Sequence, residues 1–393
     1  MKKKIGILGS TGSIGQQTLE IIKMNKKNFS VELLTANKNY NLLSKQIKLF
    51  NVKNVIVNDR NAYNFLKKKF KKTHILNDFK EINKLKKLKF DYVMSAITGL
   101  QGLEPTIDII KKTKTIAIAN KESLICGWNL IHAKLRENKT LFIPVDSEHF
   151  STWQLIKNKN KKQIKEIYLT ASGGPFLNTP INNFKKINYK QASNHPNWSM
   201  GSKISIDSST LMNKVFEVIE ASNIFDIELK KFRIIIHPKS YVHSIVNYNS
   251  GFCEMLFHET DMKIPIFNSI YYKNINSNYS SSKINFKLLN NLNFSEVDKI
   301  KFSSINLLQL LPKSMSLFNT VLVSSNDALV ELFKSKKIKF KDISKYIFKI
   351  INLKKYSYTR FKKPRNIREI YNLMDDVFVT ARDICNIQKD EKI

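Results

Sequence analysis

Two carboxylates, Asp146 and Glu148, follow the apolar run at 141–145, with Ser147 between them. If that run is a β-strand, side chains two positions apart leave the backbone on the same face. The two acids would then meet at the carboxyl end of the strand, where open α/β sheets bind ligands. Paired carboxylate oxygens suit Mg²⁺ or Mn²⁺. The alternative is a pair of acids that are solvated or held in salt bridges.

A glycine-rich segment, GSTGSIG, begins at Gly9 directly after the apolar run at 5–8. Glycines there let the backbone turn tightly and approach a pyrophosphate at the start of a helix. The spacing is GxxGxxG, not the GxGxxG of most NAD proteins, and no Gly-Lys-Ser/Thr follows as in a P-loop. The strand–turn–helix context predicts dinucleotide binding.

The end of the second predicted strand favours NADPH over NADH. NAD sites carry an acid at this position, but this chain has Asn37, Lys38 and Asn39, and Glu32 lies earlier, inside the strand. A lysine here can pair with the 2′-phosphate of NADPH. The alternative is that Lys38 is one more surface lysine.

Two further polar groups follow predicted strands. Lys121 comes after the strand at 115–119 and can hold an anionic oxygen. Helix capping by Asn120, with Glu122 in the first turn, is the structural interpretation, and both can hold at once. Ser172 is followed by two glycines whose backbone N–H groups can form an anion nest, although an ordinary turn fits as well.

A helix predicted from Ser209 to about Ala221 places Asn213, Lys214 and Glu217 on one face. Ser208, at the predicted helix start, together with Asn213 and Lys214, can hold a phosphate. Glu217 can supply a third carboxylate to a metal ion. The alternative is a capped helix with a surface Lys–Glu pair.

A long irregular segment at about 178–202 contains His195, Trp198 and Met200. A Trp and a Met in a polar loop suggest a flap that folds over a ligand and excludes water. The alternative is a loop pinned to the domain by one aromatic side chain.

The elements that position these groups predict an α/β protein. Residues 1–150 alternate strands and helices, which predicts a doubly wound, Rossmann-like NADPH domain. Residues 151–271 predict an α/β catalytic domain with the flap, 272–300 a polar linker, and 301–393 a C-terminal helical bundle. A helix is predicted at 15–24. Strands are predicted at 5–8, 31–35, 55–57, 92–94, 115–119, 164–170, 233–236 and 244–248.

Composition is less informative. The 393 residues carry 66 Lys+Arg against 32 Asp+Glu, a net charge of +34, which raises the question of nucleic-acid binding. The lysines are spread along the whole chain, so drift in an AT-rich genome explains them better. Three separated cysteines indicate reduced thiols and no zinc site. No apolar run is long enough for a membrane span, so we expect a cytoplasmic protein.

Several motifs, in one order, resemble the 1-deoxy-D-xylulose 5-phosphate reductoisomerase family of the non-mevalonate isoprenoid pathway. They are GSTGSIG at Gly9, ANKES at Ala119, PVDSEH at Pro144, SGGPF at Ser172, HPNWSMG at His195, KISIDSSTLMNK at Lys203 with Glu217, and HPKS at His237. The resemblance implies NADPH- and metal-dependent conversion of 1-deoxy-D-xylulose 5-phosphate to 2-C-methyl-D-erythritol 4-phosphate. It also implies a homodimer that binds neither nucleic acid nor membrane.

The resemblance implies roles for individual residues. Asp146, Glu148 and Glu217 would bind Mg²⁺ or Mn²⁺, with Co²⁺ as an alternative. Lys121 and Ser147 would contact the oxygenated end of the substrate, with Glu148 and Glu217 also counted as catalytic. The phosphate would be held by Ser172, His195, Ser208, Asn213 and Lys214, and the flap would use Trp198 and Met200. The NADPH site would be lined by Thr11, Gly12, Ser13, Ile14, Asn37, Lys38, Asn39, Asn120, Glu122 and Gly201.

The chain departs from the family pattern at a few positions. Asn37 and Val215 stand where the family usually has glycine, Ser202 where it has a basic residue, and Thr260 where it has proline. Asn37 and Ser202 bear on NADPH binding, but every implied metal and phosphate ligand is present. Three alternatives stay open: another NADPH-dependent reductase, a basic nucleic-acid-binding protein, and an inactive remnant.

Overall fold

The structure is a computed structural model that describes residues 1–85, 88–198, 200–272 and 284–386. The strands are β1 (Lys3–Leu8), β2 (Phe29–Ala36), β3 (Asn54–Val57), β4 (His74–Leu76), β5 (Phe90–Ser95), β6 (Thr113–Ile118), β7 (Leu141–Pro144), β8 (Ile164–Ala171), β9 (Phe232–Ile236), β10 (Val242–Tyr248) and β11 (Cys253–Phe257). The helices are α1 (Ser13–Met24), α2 (Tyr40–Phe50), α3 (Arg60–Lys69), α4 (Leu103–Ile110), α5 (Lys121–Glu137), α6 (Ser147–Ile156), α7 (Tyr189–Ala192), α8 (Ser202–Ser209), α9 (Met212–Phe225), α10 (Lys263–Ile270), α11 (Phe286–Leu289), α12 (Phe318–Lys334), α13 (Asp342–Ile351) and α14 (Ile367–Ile384).

Strands β1 to β7 form a parallel sheet in the order β4-β3-β2-β1-β5-β6-β7. The central strand β1 is apolar at Ile5, Ile7 and Leu8, all without exposed surface, as expected for a sheet covered on both faces. The chain reverses direction across the sheet between β1 and β5. Ligands bind at such switch points in doubly wound sheets.

Strands β8 to β11 form a second, mixed sheet in the order β11-β10-β8-β9. Strand β8 pairs in parallel with β9, whereas β10 pairs antiparallel with both β8 and β11. Helix α9 packs on this sheet through Val218, Ala221 and Phe225, which share an apolar core with Ile167 of β8.

The C-terminal region is helical, as predicted. Long helices α12 and α14 pack against each other and against α13. Helix α12 buries nearly its whole length, including Val321, Leu329 and Phe333, while α14 buries one stripe. None of the described helices is both long enough and apolar enough to cross a bilayer.

Contacts divide the chain into two compact units. Unit 1 comprises Met1–Ser123, Leu130–Phe150 and Met262–Ser281; unit 2 comprises Leu124–Asn129, Ser151–Asp261 and Ser282–Ile393. The predicted domain borders at 150, 271 and 300 are functional assignments and stay predictions. Residues 273–283 of the predicted linker lie outside the described residues.

Two local predictions at the site are wrong. Strand β7 ends at Pro144, so Asp146 and Glu148 do not share a strand face; Asp146 precedes α6 and Glu148 lies in its first turn. Proline fits a strand end because it has no N–H to donate, and Asp is a favoured residue before a helix. The single helix predicted from Ser209 is instead two helices, α8 and α9.

Leu211 separates α8 from α9. Its φ of +58° lies in the left-handed region, which a leucine rarely adopts. Ser208 therefore lies in the last turn of α8, and not at the start of the helix that carries Asn213 and Lys214.

Candidate active site

The glycine-rich loop of unit 1 makes a tight turn between β1 and α1. Gly9 has a φ of +79°, and a Cβ there would lie 2.6 Å from the carbonyl oxygen of Ala96. Gly12 precedes α1 and, because it has no side chain, cannot cap the N–H groups of the first turn. Backbone N–H groups around Ser13 and Ile14 are therefore not capped by that residue, which fits an anion at the helix N-terminus.

The end of β2 fits the predicted cofactor preference. Asn37, Lys38 and Asn39 are exposed, and Asn39 also caps α2 by accepting a hydrogen bond from Leu42 N at 3.1 Å. Glu32 accepts a hydrogen bond from Ser30 Oγ at 2.6 Å within the strand. The carboxyl end of β2 thus presents an exposed lysine and no acid, which favours a 2′-phosphate.

Asn120 caps the start of helix α5. Its Oδ1 accepts a hydrogen bond from Ser123 N at 2.6 Å, and its Nδ2 donates to Gly99 O at 2.7 Å. Glu122 is buried in the first turn of α5. These contacts fix the start of α5, which carries Lys121.

Asp146 and Glu148, the carboxylate pair, form a compact polar group with Lys121 in unit 1. The Nζ of Lys121 lies 3.1 Å from Asp146 Oδ2, and Glu148 N donates to Asp146 Oδ1 at 3.2 Å. The Oγ of Ser147 donates to Glu148 Oε2. His149, fully buried, approaches Asp146 through Nδ1 at 3.5 Å. Half-buried carboxylate oxygens gathered at one helix start fit a hard divalent cation.

In unit 2, the loop after β8 turns sharply at two glycines. Gly173 and Gly174 have φ values of +81° and +65°, and Gly174 N donates to Ser172 Oγ at 3.1 Å. That N–H is therefore engaged within the loop, and the anion nest stays a prediction. A Cβ on Gly174 would lie 2.8 Å from Ser208 O, so the loop that begins at Ser172 runs close to the last turn of α8.

His195 makes a hydrogen bond with Ser172 that fixes the direction of the Ser172 hydroxyl proton. Its Nδ1 accepts hydrogen bonds from the backbone N–H groups of Asn197 at 3.1 Å and Trp198 at 3.0 Å. A neutral ring therefore carries its proton on Nε2, which donates to Ser172 Oγ 3.0 Å away. Because Ser172 Oγ also accepts from Gly174 N, its own hydroxyl proton can go to an incoming acceptor.

Burial, and then the charge of Lys214, lower the pKa of His195 to about 4. We expect an NMR pH titration of the labelled His195 ring, assigned with a His195→Gln variant, to have its midpoint near that value. Because the pKa is lower in the folded state, the unfolded chain binds more protons between the two pKa values. Stability from this group is therefore present above about pH 6.5 and lost as the pH falls towards about 4. A midpoint at or above the ordinary value would contradict a buried neutral ring.

Lys214 and Glu217 form a buried ion pair on α9. Their side chains are 5% and 1% exposed, and Asn213 Nδ2 donates to the other oxygen of Glu217. The alternative of a surface Lys–Glu pair is therefore wrong. Ser172 and His195 are joined by a hydrogen bond, and the charge of Lys214, which pairs with Glu217, acts on His195. Unit 2 thus brings together one polar cluster, made of Ser172, His195, Asn213, Lys214 and Glu217. Ser208 adjoins this cluster through its backbone oxygen, which lies close to Gly174.

The predicted flap is more ordered than an irregular loop. The segment contains α7 and a 3₁₀ helix at Ile181–Lys186, and Gly201 precedes α8. Trp198 packs edge-on against His243, with ring centroids 6.1 Å apart, and Met200 is half-buried. Asn197, which was not among the predicted site residues, donates to Pro238 O at 2.6 Å and Ser240 Oγ at 3.1 Å. Its position between His195 and Trp198 was the only sequence signal.

Comparisons with known proteins agree along the chain. Three family models match: "1-deoxy-D-xylulose 5-phosphate reductoisomerase" at residues 5–127, its "C-terminal domain" at 142–225, and "DXP reductoisomerase C-terminal domain" at 258–377. The 1-deoxy-D-xylulose 5-phosphate reductoisomerase of Pelagibacter ubique is 55% identical to this chain, over 95% of this chain and 97% of its own length. One from Thermoanaerobacter pseudethanolicus is 41% identical over 99% of this chain and 97% of its own.

Solved structures agree as well. The reductoisomerase from Zymomonas mobilis in complex with NADPH has a TM-score of 0.89 and 32% identity, covering 98% of this chain and 99% of that one. A second reductoisomerase, in complex with NADPH, fosmidomycin and magnesium, has a TM-score of 0.90 and 30% identity, covering 99% of this chain and 100% of that one.

Proposed function

The chain belongs to the 1-deoxy-D-xylulose 5-phosphate reductoisomerase family, and we propose which of its residues carry the family's reaction. It is an oxidoreductase that rearranges and reduces 1-deoxy-D-xylulose 5-phosphate to 2-C-methyl-D-erythritol 4-phosphate in isoprenoid precursor biosynthesis, using NADPH and a divalent metal ion. The predicted family, fold class, reaction and cofactors are confirmed.

The polar cluster of unit 2 is the observation that carries the residue assignment. Hydroxyl, imidazole, amide and ammonium donors at one place form the set that binds a phosphate. We assign Ser172, His195, Ser208, Asn213 and Lys214 to the substrate phosphate, and name these five residues the phosphate cradle. The neutral His195 ring holds Ser172 so that its hydroxyl proton points to the phosphate oxygen.

We assign Asp146, Glu148 and Glu217 to the metal ion, which would be Mg²⁺, Mn²⁺ or Co²⁺. The ammonium of Lys121 beside Asp146, and the hydroxyl of Ser147 beside Glu148, would contact the oxygenated end of the substrate. When bound, the ion stabilises negative charge on the substrate oxygens and NADPH supplies a hydride. The residues themselves orient the substrate and hold its oxygens.

We assign the NADPH site to the loop before α1, the end of β2, the start of α5 and the residue before α8. Its residues would be Thr11, Gly12, Ser13, Ile14, Asn37, Lys38, Asn39, Asn120, Glu122 and Gly201. The segment at about 178–202 would close over bound substrate through Trp198 and Met200 and exclude water. In the same proposal, residues 1–150 form the NADPH domain, 151–271 the catalytic domain, 272–300 a linker and 301–393 the helical domain.

A homodimer in the cytoplasm is the remaining part of the proposal. Edge strand β11 and the turn before it expose Phe252 at 75% and Met255 at 49%, and proteins usually cover such an apolar sheet edge. The three cysteines, all within the described residues, form no disulfide, which fits a reducing compartment. Light scattering of the purified chain tests the dimer; a monomer at micromolar concentration would contradict it.

The reaction is tested by following NADPH absorbance after adding 1-deoxy-D-xylulose 5-phosphate, with Mg²⁺ or Mn²⁺ and then with EDTA. We expect metal-dependent NADPH oxidation and formation of 2-C-methyl-D-erythritol 4-phosphate, identified by mass spectrometry. NADPH binding without oxidation would leave an inactive remnant. Oxidation with a simple hydroxy-ketone but not with this substrate would indicate another reductase.

A further inference from the structure

We propose that Asp207, held by Lys203 and by Asn326 of the C-terminal helices, is a positioning residue that sets Ser208 against the substrate phosphate. The inference rests on the proposed phosphate cradle and extends it to residues that do not touch the substrate. It gives helix α12 an indirect part in substrate binding, through the position of α8.

The side chain of Asp207 is only 3% exposed, and both of its oxygens have partners. Its Oδ1 accepts a hydrogen bond from Asn326 Nδ2 at 2.8 Å, and its Oδ2 lies 3.1 Å from Lys203 Nζ. A buried carboxylate is costly unless it is hydrogen-bonded and paired with a cation. These contacts therefore define one position for the α8 turn that carries Asp207 and its neighbour Ser208.

Lys203 adds a second contact with α12 and one with α9. Its Nζ also lies 2.8 Å from Asp327 Oδ1, and 5.6 Å above the ring of Phe216 in α9. Asn326, in α12, is fully buried. The ionic network thus ties α8 to α12 and α9, although Asp207 and Asn326 are 119 residues apart in the chain.

Helix α8 needs such an external support. It has only eight residues, no side-chain hydrogen bond caps it at Gly201, and it ends at Ser209, two residues before the left-handed Leu211. So short a helix has little stability of its own. A Cβ on Gly174 would lie only 2.8 Å from Ser208 O, so the two backbones are in close contact. A small shift of α8 would therefore also disturb the loop that carries Ser172.

The test exchanges a carboxylate in α8 and an amide in α12, the side chains of Asp207 and Asn326. We expect Asp207→Asn to raise the KM for 1-deoxy-D-xylulose 5-phosphate about tenfold, because a hydrogen bond to a buried charge is lost. The KM for NADPH and kcat should change by less than about twofold, a split that follows from loss of substrate binding alone. Asn326→Asp alone should be similarly impaired, since it puts two carboxylates together. The double variant, Asp207→Asn with Asn326→Asp, restores one amide–carboxylate bond and should recover most of the wild-type KM.

Controls separate this role from folding and from the cradle itself. Glu228→Gln removes a carboxylate from an exposed ion pair with Lys230 and should leave every constant unchanged. Ser208→Ala reports on the cradle: if its KM is normal, Ser208 does not hold the phosphate, and the positioning role of Asp207 is overturned with it. If Ser208→Ala raises the KM but Asp207→Asn lowers only the unfolding temperature, the positioning role is overturned and the cradle stands.

A milder variant keeps the test decisive if Asp207→Asn does not fold. Asp327→Asn removes only the more exposed partner of Lys203 and leaves Asp207 intact. We expect it to fold and to raise the substrate KM about threefold, in line with a partly exposed ion pair. An unchanged KM in a folded Asp327→Asn protein would overturn the part assigned to the Lys203 network.

Discussion

Glu217→Gln is expected to lower kcat by more than about a hundredfold. Substituting a residue that only hydrogen-bonds a metal ligand already lowers metal affinity or activity about 10- to 100-fold, and the loss of a direct ligand should be larger. The substitution keeps the size of the side chain and an oxygen that can accept the hydrogen bond from Asn213. It removes the negative charge that the proposed metal ion requires. The measurement is kcat at saturating NADPH and substrate over a titration of Mn²⁺, with Mn²⁺ binding followed by calorimetry.

The outcome distinguishes a ligand from a structural carboxylate. A ligand role predicts that higher Mn²⁺ partly restores turnover, while NADPH binding stays normal. Glu217 also pairs with Lys214, so thermal unfolding of the variant must be recorded beside that of Glu228→Gln. Normal turnover and normal Mn²⁺ affinity in a folded variant would remove Glu217 from the metal site.

Local sequence patterns predicted the strand–turn–helix unit around Gly9 well because its determinants are close together in the chain. The apolar run before Gly9, the glycine spacing and the following helix lie within this unit, and β1 and α1 form there. The turn after β8 is similar, since two adjacent glycines adopt positive φ values there. The cofactor and phosphate roles of these two loops stay predictions.

The active-site geometry was harder to predict where single residues decide the backbone path. The apolar run at 141–145 continues past Pro144, where β7 stops, and its length outweighed the strand-end signal of the proline. The carboxylate pair was therefore placed on a strand face, when it belongs to the start of α6. Leucine almost never signals a left-handed turn, so the break at Leu211 could not be read from its residue type. The contact of Asp207 with Asn326 depends on tertiary packing and has no local signature.

A few of the many lysines are buried, and Lys214 is one whose position matters for the proposed phosphate site. Most are exposed and spread along the chain, which is why composition predicted little. Lys214 is 4% exposed and lies beside Glu217, and its charge helps lower the pKa of His195. A buried ammonium next to hydroxyl and imidazole donors interacts with a phosphate far more strongly than a solvated one, because little water screens it.

Lys214→Ala is therefore expected to raise the KM for 1-deoxy-D-xylulose 5-phosphate about a hundredfold, equivalent to about 2.7 kcal/mol of lost binding. In the proposed site the phosphate is remote from the reacting carbons, so its binding energy would act on affinity and on closure of the proposed flap. Comparison with dephosphorylated 1-deoxy-D-xylulose isolates the effect. The ratio of kcat/KM for the two substrates should collapse in the variant, because only the phosphorylated substrate loses a contact.

Loss of the ion pair with Glu217 must be separated from loss of the phosphate contact. If Lys214→Ala acted only by disturbing Glu217, both substrates would lose activity together and the ratio would be preserved. If the substrate KM stayed normal, the phosphate would bind elsewhere. The pH titration of His195 gives an independent reading: without the charge of Lys214, the pKa of the ring should rise, because burial alone would then hold it down.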